Sequence, residues 1–355
     1  MKKFNSVPIE VILVTIFLSV NILAQTYDSA KDTLRFPQEK HLRNIRMLTH
    51  NGENAEAYLS WDEKELIFQS NAGDLPCDQI FKMHIDGTDK KMVSTGFGKT
   101  TCSYFLPGDT AIIYASTHSA DQDCPAPPDQ SRGYVWELYK TFDIFLAKPD
   151  GSNLKRLTDT YGYDAEATVS PRGDKIIFTS TRDSDPELYT MNLDGTNQKR
   201  LTFQKGYDGG AFFSQDGKKI VFRASRPVTD KDKQDYEELV KKGYVRPTAL
   251  EIYTMNADGS NMKKLTNFGK ASFAPFFFPD AKKIIFSSNI NSKNGRSFDL
   301  YVINSDGSGL EQITFSNTFD SFPMFTKDGK HLIFASNRFG KHPHDTNIFI
   351  ADWVD

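Results

Sequence analysis

The tracts IDGTDKKMVS (residues 85–94), PDGSNLKRLT (149–158), LDGTNQKRLT (193–202), ADGSNMKKLT (257–266) and SDGSGLEQIT (305–314) each set an Asp-Gly pair ahead of a run that ends in an apolar residue and a hydroxyl. Self-similarity at a period of about 40 to 50 residues marks a propeller or solenoid, and it outranks any local motif. Working outward, each tract belongs to a longer unit. A turn comes first: SWDEKE (60–65), LPGDTA (106–111), SPRGDK (170–175), SQDGKK (214–219), FPDAKK (278–283) or TKDGKH (326–331). An apolar triplet follows (LIF, IIY, IIF, IVF, IIF, LIF), and then a third apolar run: QIFKMHI, DIFLAKP, ELYTMNL, EIYTMNA, DLYVINS or NIFIADW. β-Branched and aromatic runs bounded by Gly, Pro, Asp and Asn are strand signals. Four strands per unit and six units predict an all-β fold, a six-bladed β-propeller.

The chain ends agree with that count. The sixth unit stops after its third strand, while HLRNIRMLT (41–49) ends in the same Leu-Thr as the tracts. The N-terminal strand is therefore expected to complete the last blade and close the ring, which removes two exposed sheet edges.

These units resemble the propeller repeats of the TolB family, with related repeats in Tricorn-type proteases and prolyl oligopeptidase-like enzymes. The resemblance rests on the SPDG-type turn, the I-x-F strand and the D-G-x-x-x-(K/R)-(K/R)-L-T tract, and covers about residues 41–355. It implies repeat type and fold, because such blades scaffold many functions. Neither the α/β domain preceding the TolB propeller nor a peptidase domain is read here, and the sequence has no G-x-S-x-G nucleophile elbow.

Lys2 and Lys3 followed by an apolar run over residues 11–24 read as a signal peptide cleaved before Gln25. The expected organisation is a signal peptide (1–24), a lead segment (25–40) and the propeller (41–355), exported to a bacterial periplasm or secreted, with no stable membrane insertion after cleavage. A net charge of −3 over 355 residues offers no basic field for a phosphate backbone, so nucleic acid is not an expected partner.

Antiparallel strand order sorts the loops onto two faces. Asp-Gly and SPDG-type turns share one, where they serve turn geometry. Long insertions (118–141 in blade 2, 226–248 in blade 4, with a short helix in the latter) share the other with the blade-to-blade loops. Long loops on a compact fold point to function. Alignment on the turns puts Asn54, Thr100, Asp164, Asp208, Ser272 and Asp320 at one position, and Glu56, Cys102, Glu166, Gly210, Ala274 and Phe322 two residues on. His118, Arg182, Arg226 and Arg338 follow the second strands. The candidate binding residues at the channel mouth are Glu56, His118, Trp136, Asp164, Glu166, Asp208, Arg226 and Asp320. Pairing of Asp with Arg is the competing structural explanation.

Cys77 and Cys124 are the favoured disulfide in an exported chain with three cysteines. No cofactor is expected, although the carboxylates leave room for a bound cation, and His118, Asp121, Asp123 and Cys124 form a metal set of no standard spacing. The reading is a non-catalytic propeller binding an envelope protein, peptide or glycan through its loop-rich face. The alternative is a glycan hydrolase or lyase using Asp164, Glu166, Asp208 and Asp320 as acid and base.

Overall fold

A computed structural model describes residues 32–355 except 74, 132 and 343; the signal-peptide reading of residues 1–24 lies outside the described residues. Six four-stranded antiparallel sheets form six blades. Blade 1 runs from Asn54–Leu59, its innermost strand, to Lys91–Met92, and the innermost strands of blades 2 to 6 are Thr100–Phe105, Asp164–Val169, Asp208–Phe213, Ser272–Phe277 and Asp320–Phe325. Leu42–Met47 pairs with Asn347–Trp353 and completes blade 6, with Leu42 opposite Trp353 and Met47 opposite Phe349. The ring is closed by the N-terminal strand, as the shared Leu-Thr implied.

The repeated residues have repeated jobs. In the Asp-Gly turns the carboxylates of Asp86, Asp150, Asp194, Asp258 and Asp306 accept from the amide two residues on, at 2.9–3.0 Å. The following glycines hold φ of 83–94°, a region that costs a residue with a Cβ. The terminal hydroxyl reaches back to the third strand. Ser94, Thr158, Thr202, Thr266 and Thr314 accept from the amides of Ile80, Ile144, Leu188, Ile252 and Leu300 at 2.8–2.9 Å. Thr49 does the same for Ile348 from the other end of the chain, at 2.9 Å.

Within every blade the last residue of the apolar triplet faces an aromatic on the third strand: Phe68–Phe81, Tyr114–Phe145, Phe178–Tyr189, Phe222–Tyr253, Phe286–Tyr301 and Phe334–Phe349. Their ring centroids lie 5.5–6.3 Å apart. Each such pair adds roughly 0.5–1.5 kcal/mol beyond area burial. This explains why the triplet ends in Phe or Tyr throughout.

The two long insertions meet. Trp136–Glu137 from blade 2 pairs antiparallel with Tyr244–Val245 from blade 4. The helix predicted in the blade 4 insertion spans Asp230–Lys241, is capped by Thr229 with Asp232 in a capping box, and buries Tyr236 and Leu239. Tyr236 is anchored by its hydroxyl, which donates to Asp185 of blade 3.

Candidate functional site: a roofed channel and an irregular face

Each innermost strand carries a β-bulge, and the residue within it has positive φ: Glu56 54°, Cys102 50°, Glu166 58°, Gly210 58°, Ala274 49° and Phe322 52°. The bulge re-aims one side chain per blade. These six residues form one ring around a small chamber of about 20 Å³, which Arg223 also lines. That volume is near the minimum for a single water.

Below the ring lies an aromatic layer. Tyr58 stands 5.5 Å from Tyr104 and 5.4 Å from Phe212, and Phe212 stands 5.4 Å from Phe276. Tyr58 belongs to blade 1 and Phe212 to blade 4, opposite one another in a six-membered ring, so the layer meets across the axis. Beyond it, on the short-turn face, opens an apolar cavity of about 100 Å³ lined by Trp61, Tyr104, Phe212, Phe276, Pro279 and Met324 among others.

Above the ring lies a roof. Trp136, from the blade 2 insertion, packs 5.8 Å from Phe273 of blade 5 and 6.4 Å from Tyr207 of blade 4, with the Arg223 guanidinium 5.0 Å from its ring. Blades 2 and 5 are opposite, so the insertion crosses the channel axis. Leu138, Phe142, Tyr163, Tyr207, Tyr236 and Val245 bury one another beneath it. The mouth expected to stand open on this face is covered.

Glu166 is the centre of the chamber's polar network. Its carboxylate accepts from Tyr207 Oη at 2.8 and 3.0 Å, Thr179 Oγ1 at 2.6 Å and the Gly210 amide at 2.9 Å, and is ion-paired to Arg223. The Gly209-Gly210 pair is what admits this cluster. A Cβ on Gly210 would lie 2.1 Å from Arg223 Nη1, and one on Gly209 would lie 2.2 Å from Tyr207 Oη. Glu56 is a different case. Burial pushes its carboxyl up to about 7, against the opposing pull of Cys102 and Arg223. Burial first, then the carboxylates of Glu56 and Glu166, drives the Cys102 thiol well up, so this free cysteine is a poor nucleophile.

The rim carboxylates are engaged. Asp164 accepts from Arg182 Nη2 at 3.0 Å through both oxygens, Asp208 pairs with Arg226 at 2.5 Å, and Asp320 with Arg338 at 3.1 Å. All three acids are buried. Each of these carboxylates is buried and paired with an arginine that lies two residues beyond the second strand of its own blade, which is the pairing that the competing explanation expected. The arginines also lie over third-strand aromatics, Arg182 at 4.8 Å from Tyr189 and Arg226 at 5.3 Å from Tyr253. His118 is their counterpart in blade 2: its ring lies 4.4 Å from Phe145 and Nδ1 is 2.8 Å from Ser116 Oγ. Burial and the Arg156 charge push His118 below its usual range.

Cys77 and Cys124 form a disulfide, Cα to Cα 5.7 Å, joining the loops of blades 1 and 2. Cys124 is therefore unavailable to the metal set with His118, Asp121 and Asp123. Among the described residues no group of three or more His, Cys, Asp or Glu is placed to hold a metal.

The lead segment contributes a residue that sequence reasoning missed. Glu39 is fully buried against Arg338, at 2.8 and 3.1 Å, so one guanidinium serves Glu39 and Asp320 together. Asp299 lies beside them. Burial and the Asp320 carboxylate hold it up at about 7 against the pull of Arg338. Unfolded, it titrates near 3.9. The folded state thus holds a proton that the unfolded state has released, and stability falls as pH rises from about 4 to about 7. Asp299→Asn is expected to stabilise by about 1–2 kcal/mol at pH 5 and by about 4 kcal/mol at pH 8.5, read by urea unfolding at both pH values. Equal effects at both would remove this assignment.

The chain is thus a closed six-bladed propeller with a plugged channel and one irregular face. Known proteins agree on the fold. The TolB beta propeller domain family matches residues 127–241. A TolB homologue of Chlorobium luteolum is 35% identical over 51 residues, 14% of this chain and 12% of the relative's length. The structure of putative TolB from Agrobacterium tumefaciens superposes with a TM-score of 0.56 and 17% identity, covering 87% of this chain and 94% of that one. TolB from Acinetobacter baumannii gives 0.54 and 17%, covering 85% and 63%. The repeats are TolB-like, and this is a TolB-like β-propeller. Among the described residues no helix is long and apolar enough to cross a membrane.

Proposed function

We propose that this chain is an exported, non-catalytic propeller that binds a protein, peptide or glycan partner of the cell envelope through its loop-rich face. One observation carries the reading. Among the described residues nine large hydrophobic side chains are exposed, and six of them, Phe97, Tyr134, Tyr161, Phe203, Val228 and Phe339, sit on loops of that one face. Exposed apolar groups collected on one surface mark interaction sites. The face is also held rigid, by the ribbon between the two insertions and by the Cys77–Cys124 bond, which lowers the ordering cost of binding. The hydrolase or lyase alternative draws no support from Asp164, Asp208 and Asp320, whose carboxylates are held by arginines.

The test is a Phe203→Ser, Val228→Ser double variant, both sites being at least 70% exposed. Cross-linking in the native envelope should lose its partner bands at least tenfold, with the melting temperature unchanged. A matched pair on the short-turn side, Leu154→Ser with Leu310→Ser, should keep them. Retention by the first variant would refute the assignment of the face, and recovery of the protein from the cytoplasm alone would refute export.

A further inference from the structure

The loop-rich face carries a cleft of about 450 Å³ between the end of the blade 2 insertion, the loops of blade 3 and the helix of blade 4. Its charged lining is Lys140, Arg182, Lys205, Lys241 and a single carboxylate, Glu237. Glu237 is taken up by Lys205 at 3.3 Å. Lys140 and Lys241 are exposed and, among the described residues, have no carboxylate partner. In a chain of net charge −3 such a concentration of cations is local and not a reflection of composition. The face that sequence reasoning expected to be acidic carries an excess of positive charge at this cleft, from Lys140 and Lys241.

We propose that this cleft binds an acidic oligosaccharide, one bearing carboxylates on successive sugar rings; the inference rests on the loop-rich face being the binding face. Four features select that chemistry. Arg182 and Lys205 are already paired with Asp164 and Glu237, so the charges on offer are Lys140, from the blade 2 insertion, and Lys241, from the end of the blade 4 helix. Two separated ammonium groups at the cleft suit separated carboxylates along a ligand more than one compact phosphate. A lone phosphate is best held by converging amides at a helix N-terminus, and here the helix offers residues of its C-terminal turn, Val240 and Lys241. Tyr161 is 78% exposed and supplies a flat ring, with Lys140 Nζ 5.8 Å from its centroid, so that stacking and charge are offered side by side. Thr181 and Ser184 add hydroxyls at the wall, suited to sugar hydroxyls. The volume falls within the range of small-ligand sites and fits about two or three sugar rings.

The experiment is titration calorimetry on the purified, disulfide-bonded protein with a uronic acid trisaccharide, its methyl ester and a hexaglutamate peptide. The acid sugar should bind, and tenfold more salt should weaken it at least fivefold. The ester should lose at least tenfold, as should Lys140→Glu with Lys241→Glu and, separately, Tyr161→Ala, all at unchanged melting temperature. Equal binding of the ester, preference for the peptide, or indifference to the lysine reversal would each overturn the proposal, as would silence from the acid sugar. If the Phe203 and Val228 double variant loses its envelope partner while the lysine reversal keeps it, the binding face stands and the acidic-glycan assignment alone falls.

Discussion

Deleting residues 26–49 is expected to abolish the cooperative fold, not to trim it. The deletion removes the fourth strand of blade 6, and with it the buried side chains of Leu42, Ile45 and Leu48. Burying one such side chain contributes about 1.5–3 kcal/mol, so the three account for roughly 5–9 kcal/mol. A typical domain has only about 5–15 kcal/mol of net stability. Asn347–Trp353 would also become a seven-residue edge strand with unpaired amides and carbonyls, a template for aggregation. A shorter deletion, 26–40, leaves the closing strand and isolates its contribution. The long deletion should lack a thermal transition and elute as aggregate, while the short one should melt cooperatively at reduced temperature. A monomeric long-deletion variant melting within about 5 °C of the intact chain would show that closure is dispensable.

The closing strand was readable because periodicity survives at low resolution. The Leu-Thr of residues 48–49 has the same task as those of residues 157–158, 201–202 and 265–266, accepting one amide from the third strand, and an identical task selects identical residues. The channel was readable by position and not by contact. Alignment put Glu56, Cys102, Glu166, Gly210, Ala274 and Phe322 at equivalent places, and the structure sets them in one ring. Nothing local announced that Gly210 is small because Arg223 occupies its side-chain space, since that arginine sits in a second strand and serves Glu166 of the neighbouring blade. The roof was hidden for a similar reason. Residues 118–141 read as a functional loop with Trp136 at an open mouth, whereas Trp136 meets Phe273 across the axis, a contact between blades 2 and 5 that no repeat pattern encodes. Glu39 was missed because the lead segment carries no repeat signature, and its role depends on Arg338, about 300 residues away in the chain.

That arginine supports the second large expected effect. Arg338 is fully buried, donates to Glu39 and Asp320, and rests 5.1 Å from the Phe334 ring, 5.4 Å from Phe36 and 6.0 Å from Phe349. Its Nε also donates to Ser336 Oγ at 3.1 Å. Arg338→Met keeps most of the apolar contact but strands two carboxylates in a dry site. Breaking a buried pair from one side costs about 3–5 kcal/mol, chiefly through the uncompensated charge left behind. Arg338→Lys should recover little, since one ammonium cannot reproduce the planar fork that spans Glu39 and Asp320. The loss should also depend on pH in a defined sense. Glu39 and Asp299 are already pushed up by burial, and Arg338 is the cation that pulls both down. Without it their neutral forms are favoured further, so Arg338→Met should be destabilised most above pH 7 and least near pH 5. Adding Glu39→Gln and Asp320→Asn to the methionine variant should restore most of the loss at pH 8, because the desolvated charges go with the residues that carried them. Urea unfolding of the four proteins at pH 5 and pH 8 reads all of this. If Arg338→Met cost less than about 1 kcal/mol, or if the triple variant were no more stable than the single at pH 8, the buried charge would not be what this arginine holds in place.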